Sequence, residues 1–394
     1  MRKKVASGRR SKSKRKGEKT EGKRTQAYED KDEPAAGASQ RECSVATERK
    51  ACERKLVVIL GAGASHGARE RPAPPLGNDL LDYLESYLHF VEEETARNSS
   101  GLPFREAGKL DKLRRLLDKA NEHGWTYERL VEDELGKDDA DNESLSLLNY
   151  LLVAAFSPPS ASYNPPIQWL DQAFSDRQDL YDEFLSQMKA KGFISEGLIF
   201  ITLNYDILLE QAIVRAHGAF NYMLPSLSCN RGYPVLKVHG SINWWGIFDL
   251  TRISLGDHRV PLDIAFVGQG RRYNKIEVKP DSYEACISDD AGEPIIAHYA
   301  QGKPAYVNAE ILAGIRKEAI ARCTGATEAL IIGVHPPVSP QEDETLWQLF
   351  NRLKARQVPT RYVGPSPDTD TVAEMWQFPP VPRTFRDFVQ RELS

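Results

Sequence analysis

Asn204 and Asp206, in Thr202-Leu203-Asn204-Tyr205-Asp206, and His239, in Lys237-Val238-His239-Gly240-Ser241, are the polar side chains best placed for chemistry. Each group follows an apolar run, Ile199-Phe200-Ile201 in one case and Val235-Leu236 in the other, so each stands where a buried strand ends. In an open parallel sheet, ligands bind beyond those carboxyl ends. A lone histidine is more often structural than catalytic. One at a strand end beside a glycine is nevertheless a general-base candidate, because imidazole titrates near neutral pH. Asn and Asp at such a spot also cap helices, and Asp206 is well placed to cap the helix that follows. A cap accounts for one of the two, which leaves Asn204 to face a ligand and hold a hydroxyl or a water.

A third segment, Leu56-Val57-Val58-Ile59-Leu60-Gly61-Ala62-Gly63-Ala64-Ser65, is an apolar run ending in alternating glycines. Gly61 and Gly63 allow close backbone approach to a phosphate, the next helix N-terminus supplies amide donors, and Ser65 adds a hydroxyl. The competing reading is a turn that simply packs tightly. The spacing Gly61, Gly63, Gly67 misses the usual dinucleotide fingerprint by one residue. An acidic ribose ligand should also close a second strand about 20 residues on, where this chain reads as helix, so an ordinary nicotinamide dehydrogenase is disfavoured. Gly63-Ala64-Ser65-His66-Gly67 also matches the nucleophile elbow of α/β-hydrolases, with Ser65 as nucleophile. An elbow normally follows earlier strands, whereas this serine follows the first credible one. His66, His89, His123 and His217 fall in loops or helices, and His335 follows the apolar run ending at Gly333.

The elements that must hold these residues alternate in type. Apolar runs at 56–60, 197–203, 235–238, 329–333 and 361–363 read as strands. Between them, apolar residues recur at three- and four-residue intervals over 78–90, 110–120, 127–135, 145–156, 167–190, 207–216 and 341–355, which predicts helices. The proline-broken stretch 69–77 excludes helix. Weaker β patterns lie at 263–267 and 275–278, inside a stretch, 249–301, that reads as a small module of its own. The fold class expected is α/β, a Rossmann-like doubly wound parallel sheet with a helical insertion over about 83–192. The expected domain runs from 54 to 370, with a C-terminal extension at 371–394.

The 394 residues, 41% hydrophobic, suffice for a full core. The net charge of −4 conceals an asymmetry. Residues 1–26 hold twelve Lys/Arg against two Glu, leaving 40 basic and 54 acidic residues elsewhere. Residues 1–53 are too polar to bury a core and are expected to be a disordered tail. Its first reading is a solubilising extension, its second a nucleic-acid contact. The tail lacks the apolar segment of a secretory signal, so the expected location is cytoplasmic. The longest nearly apolar stretch, 147–156, is far short of the roughly 20 residues a membrane span needs. Five scattered cysteines form no Cys-x-x-Cys pair, so no structural metal is expected.

Taken in order, Gly-Ala-Gly-Ala-Ser, Thr-Leu-Asn-Tyr-Asp and Lys-Val-His-Gly-Ser-Ile-Asn-Trp-Trp resemble the sirtuin superfamily. They resemble more closely its sirtuin-like branch of bacterial NAD-consuming antiphage defence proteins. The resemblance spans about 55–363 and includes Leu330-Ile331-Ile332-Gly333. It implies that Gly61, Ala62, Gly63, Ser65, Asp206, Gly240 and Gly333 contact NAD, with Asn204 ordering the nicotinamide ribose and a water. His239 becomes the base acting on a ribose hydroxyl or on water. Leu203 stands where protein-deacylase sirtuins carry Gln, and their zinc cysteine pairs, Phe-Gly-Glu segment and Asp-Phe-Arg loop have no counterpart. The implied activity is therefore NAD+ hydrolysis to nicotinamide and ADP-ribose without a metal. Deacylation or ADP-ribosyl transfer, Ser65-dependent hydrolysis and a non-catalytic NAD or ADP-ribose module stand as alternatives. Such an enzyme must be silent until triggered, which implies a homo-oligomer or a separately encoded regulatory partner.

Overall fold

The computed structural model describes residues 54–68, 74–96, 107–135, 142–157, 179–193, 197–224, 232–247, 275–279, 293–296, 309–366 and 368–393. The expected strand at 263–267, the tail at 1–53 and most of the 249–301 stretch lie outside them. The described strands are β1 (Leu56–Leu60), β2 (Leu198–Thr202), β3 (Phe220–Asn221), β4 (Tyr233–Lys237), β5 (Gly240–Ile247), β6 (Lys275–Val278), β7 (Glu293–Ile296), β8 (Glu328–Ile332), β9 (Thr360–Gly364) and β10 (Pro380–Pro382). The described helices are α1 (Ala62–Ala68), α2 (Leu80–Ala96), α3 (Ala107–Glu122), α4 (Tyr127–Leu135), α5 (Asn142–Phe156), α6 (Leu180–Ala190), α7 (Leu208–His217), α8 (Ala309–Thr324), α9 (Glu344–Ala355), α10 (Asp368–Thr371) and α11 (Phe385–Phe388).

Seven strands form one sheet in the order β10-β9-β8-β1-β2-β4-β3, and every pairing in it is parallel. This is the doubly wound α/β sheet expected. β1 lies at its centre because its five residues are all apolar and buried on both faces, as a strand covered by helices on both sides must be. Burying each such side chain contributes about 1.5–3 kcal/mol relative to leaving it in water. The chain winds from β1 toward β2 on one side and returns to β8 on the other, so the crevice between β1 and β8 is the topological switch point.

α7 shows how local sequence builds an element. Leu208, Leu209, Ala212 and Ile213 share its buried face, and Gly218 ends it in the left-handed conformation, φ 80°, donating its amide to the Val214 carbonyl.

Three boundaries differ from expectation. The helical insertion has its own core, built from α2 to α5 with Ile242 and Trp245 of β5 and Ile296 of β7, whereas α6 packs in the core of the sheet. The insertion therefore ends earlier than 192, because Phe184, Leu185 and Met188 face the sheet layer. Residues beyond 370 are built into the domain rather than extending from it. β10 pairs with β9, and Phe385 packs 5.3 Å, ring to ring, from Tyr181. The small second sheet, β6-β5-β7, is antiparallel and begins at Gly240 rather than near 249. Among the described residues no helix is long and apolar enough to cross a membrane.

Candidate functional site

The ends of β1 and β8 close on each other through backbone alone. The Gly61 amide donates to the Ile332 carbonyl at 3.0 Å, and the Gly63 amide to the Gly333 carbonyl at 3.0 Å. A Cβ on Gly61 would lie 2.4 Å from the Gly333 oxygen, and one on Gly333, itself at φ 61°, would lie 2.2 Å from the Ala64 nitrogen. Side chains cannot be accommodated at these separations, so the glycines are required by the packing of the two strand ends. α1, which follows, has seven residues. Gly61 is buried, Gly63 half-buried and Ala62 exposed.

The β2 end is tied into this turn. Asn204, 8% exposed, donates from Nδ2 to the Gly61 carbonyl and to Ser65 Oγ, each at 2.9 Å. Both amide protons are thereby used, which leaves Oδ1 as the acceptor of that side chain. Ser65 Oγ also lies 3.2 Å from the Tyr181 hydroxyl. Burial pushes the Tyr181 phenol well above its usual range, with Asp206 adding to the effect, so it stays protonated. Asp206 Oδ1 accepts from the Leu208 amide at 3.1 Å, but it stands one residue before the N-cap, Ile207, so the capping role expected of it from sequence is not the one it takes.

Beneath the 204–206 turn runs a buried ion pair. Lys237, fully buried, donates from Nζ to Glu210 Oε1 at 2.8 Å and also to the Asp206 carbonyl. Tyr222 donates to the same Glu210 oxygen at 3.1 Å. An ammonium taken out of water costs several kcal/mol unless it is matched in this way. The match fixes the backbone on which Asn204 stands. Sequence reasoning passed over Lys237 and Glu210, although a Lys inside an apolar strand run is itself a sign of a buried partner.

His239 follows β4 in the turn before β5, and Gly240 makes that turn feasible. At φ 85°, a Cβ on Gly240 would lie 2.2 Å from the Ile295 carbonyl oxygen. The β2–β4 register pairs Thr202 with Lys237, so Asn204 and His239 each stand two residues beyond one shared rung. His239 is 8% exposed, and its ring lies 6.4 Å from that of Tyr205. Burial pushes the Tyr205 phenol up, aided by the charges of Glu128 and Asp343, so it too stays neutral. His239 Nε2 lies 3.3 Å from Asp343 Oδ2, a neighbour that no local pattern indicates because it is 104 positions away. Arg316, on α8, donates from Nε to the Val238 carbonyl at 3.0 Å.

The structure thus gathers Gly61, Gly63, Ser65, Asn204 and Gly333 around the switch point, and sets Asp206, His239 and Gly240 around the adjoining β2 and β4 ends. The Ser65 nucleophile reading fails on geometry. Ser65 is 2% exposed and held by Asn204 and Tyr181, while His66 Nδ1 lies 2.8 Å from the Pro74 carbonyl. A serine nucleophile needs a base on its hydroxyl and an open face. His335 lies 3.0 Å from Asp368 at the surface. Among the described residues, no group of three or more His, Cys, Asp or Glu is arranged to hold a metal ion. A cavity of about 530 Å³ opens at the opposite, amino end of the strands, lined among others by Arg54, Phe193, Lys354, Arg361 and Trp376. None of the candidate site residues Gly61, Ser65, Asn204, Asp206, His239 and Gly333 lines it.

No protein-family model matches the chain, and no curated protein matches it. Solved structures that it resembles include a Sir2 enzyme, 13% identical, with a TM-score of 0.43 over 89% of this chain and 94% of that one. Another is a mutant Sir2 homologue in complex with ADP-ribose, 13% identical, with a TM-score of 0.39 over 89% and 94%. A third is Sir2 with a p53 peptide and NAD+, 14% identical, with a TM-score of 0.35 over 90% and 96%.

Proposed function

We propose that this chain is an NAD+ glycohydrolase, cleaving the bond between nicotinamide and ribose to give nicotinamide and ADP-ribose. The observation that carries the reading is the shared rung. In the β2–β4 register Asn204 and His239 each stand two residues beyond the Thr202–Lys237 pair, at the carboxyl end of a parallel sheet, where ligands bind. The order of the three motifs, which resembles the sirtuin-like NAD-consuming branch, supports the choice of NAD.

In this reaction the C–N bond breaks with its electron pair going to the pyridinium nitrogen, so nicotinamide leaves neutral and positive charge develops on the ribose. Water then adds to the ribose carbon and gives up a proton. The protein has to position the sugar, stabilise charge and receive that proton. Asn204 Oδ1 has the chemistry to hold a ribose hydroxyl or the water, and His239 the chemistry to take the proton. Gly61, Ala62, Gly63, Ser65, Asp206, Gly240 and Gly333 would form the surrounding wall. Leu203, in place of a glutamine, favours water over an acyl-lysine as acceptor. By the same resemblance, the reading extends to antiviral defence by NAD depletion in the cytoplasm, with activity controlled by self-assembly or by a separately encoded partner.

The test is nicotinamide release from NAD+ by the purified full chain, followed chromatographically across a concentration series. Asn204→Ala and His239→Ala should each lower turnover by at least about 100-fold. No turnover at any concentration, together with no NAD+ binding by calorimetry, overturns the reading. Label transferred from NAD+ to protein instead of free ADP-ribose would establish ADP-ribosyl transfer in its place.

A further inference from the structure

Two other chain segments meet at His239, the β2 end with Tyr205 and α9 with the carboxylate of Asp343. Asp343 Oδ2 lies 3.3 Å from His239 Nε2, with the two side chains only 13% and 10% exposed. Asp343 is anchored independently of the histidine. It is the N-cap of α9, with φ −151° and ψ 99°, and its Oδ1 accepts from the Leu346 amide at 2.8 Å. The carboxylate is therefore divided, one oxygen holding the helix end and the other facing the imidazole.

We propose that Asp343 is the positioning residue for His239, its carboxylate set against the Nε2 edge of the ring to hold the imidazole in place and stabilise the cation formed when it takes the proton. The proposal rests on the reading of His239 as the base. A carboxylate beside one ring nitrogen fixes the tautomer and orientation of a histidine. When a ribose hydroxyl or a water gives its proton to His239, the imidazolium formed is stabilised by Asp343, which stays ionised throughout.

The groups facing the pair agree with this assignment. Tyr205, from the β2 end, is a neutral phenol and offers no competing charge. Arg316, from α8, is tethered to the Val238 carbonyl and places its positive charge near Asp343. Burial alone would raise the Asp343 carboxyl, but the nearness and charge of His239, the Leu346 amide and Arg316 together hold it below the usual range. It is thus ionised near neutral pH.

Asp343→Asn separates the two jobs, since asparagine caps a helix as well as aspartate does but carries no charge. Thermal melting should confirm an intact fold, with Asp343→Ser as a second variant that retains a cap. In Asp343→Asn, kcat should fall at least about tenfold with KM little changed. NMR of the imidazole signals, with His239→Gln to assign the ring, needs no turnover. The His239 ring resonances should shift in Asp343→Asn. Unmoved ring resonances, or an unchanged kcat in a folded Asp343→Asn, overturn the proposal. Shifted resonances in a chain that does not cleave NAD+ refute the function while leaving the pairing intact.

Discussion

Around Gly61, Gly63 and Gly333 backbone meets backbone, whereas around Asn204, Lys237 and His239 side chains meet side chains. The first half of the candidate site works by leaving atoms out. Its geometry is set by two strand ends that approach until no Cβ fits, and its amides are spent largely on each other. The second half works by satisfying what it buries. Lys237 needs Glu210, Asn204 needs Gly61 and Ser65, and Asp343 faces His239. The first half should consequently fail through sterics, at any pH, and the second through unpaired charge and in a pH-dependent way.

The largest effect should come from the glycine half. Gly333→Val puts a branched side chain where even a Cβ meets the Ala64 nitrogen at 2.2 Å. It should cost more than about 4 kcal/mol or prevent folding, read by chemical denaturation. Next, Glu210→Ala leaves the fully buried Lys237 ammonium without its carboxylate and should cost about 3–5 kcal/mol. Glu210→Leu combined with Lys237→Met should recover most of that loss. If the double variant is no better than the single one, the pair matters for shape rather than charge.

Asn204→Ala removes the donor to Gly61 and Ser65, and should cost about 1–3 kcal/mol besides its effect on turnover. Asp343 gives a smaller, pH-dependent effect. Its folded carboxyl lies below the ordinary value of about 3.9. The stability it contributes is present above that value and is lost as pH falls through the folded one. Denaturation midpoints measured from pH 5 down to 2 should therefore fall less steeply in Asp343→Asn than in the wild type, while Gly63→Ala should leave the slope unchanged. The smallest effect lies outside both halves. Gln357 holds φ 52° just past α9, so Gln357→Gly should raise stability by about 0.5–1 kcal/mol.

The two halves were unequally legible in the sequence. β1 announces itself as five consecutive apolar residues before Gly61, and the ends at Asn204 and His239 follow from apolar runs that stop. What those glycines are for was less visible, since the same letters serve a phosphate or a neighbouring strand. The structure shows Gly333 as that neighbour, 272 positions from Gly61. Asp343 was hidden for the same reason. An N-cap looks alike whether or not its second oxygen faces a histidine, and only the α9 position in the fold brings the two together. The membership of α6 and of residues beyond 370 was also obscured, because amphipathic periodicity says that a helix has a buried face but not against which layer.

Trp244 and Trp245 sit next to each other on β5 and point to opposite faces of it, one packed in the sheet core and the other in the core of the helical insertion. Both are fully buried. The strand that starts one residue after His239 therefore acts as a through-bolt between two hydrophobic cores. Neither core can melt by itself without withdrawing an indole from its socket and disturbing the turn that carries His239. The cooperativity of unfolding and the integrity of the histidine turn are, through this pair of tryptophans, the same physical property.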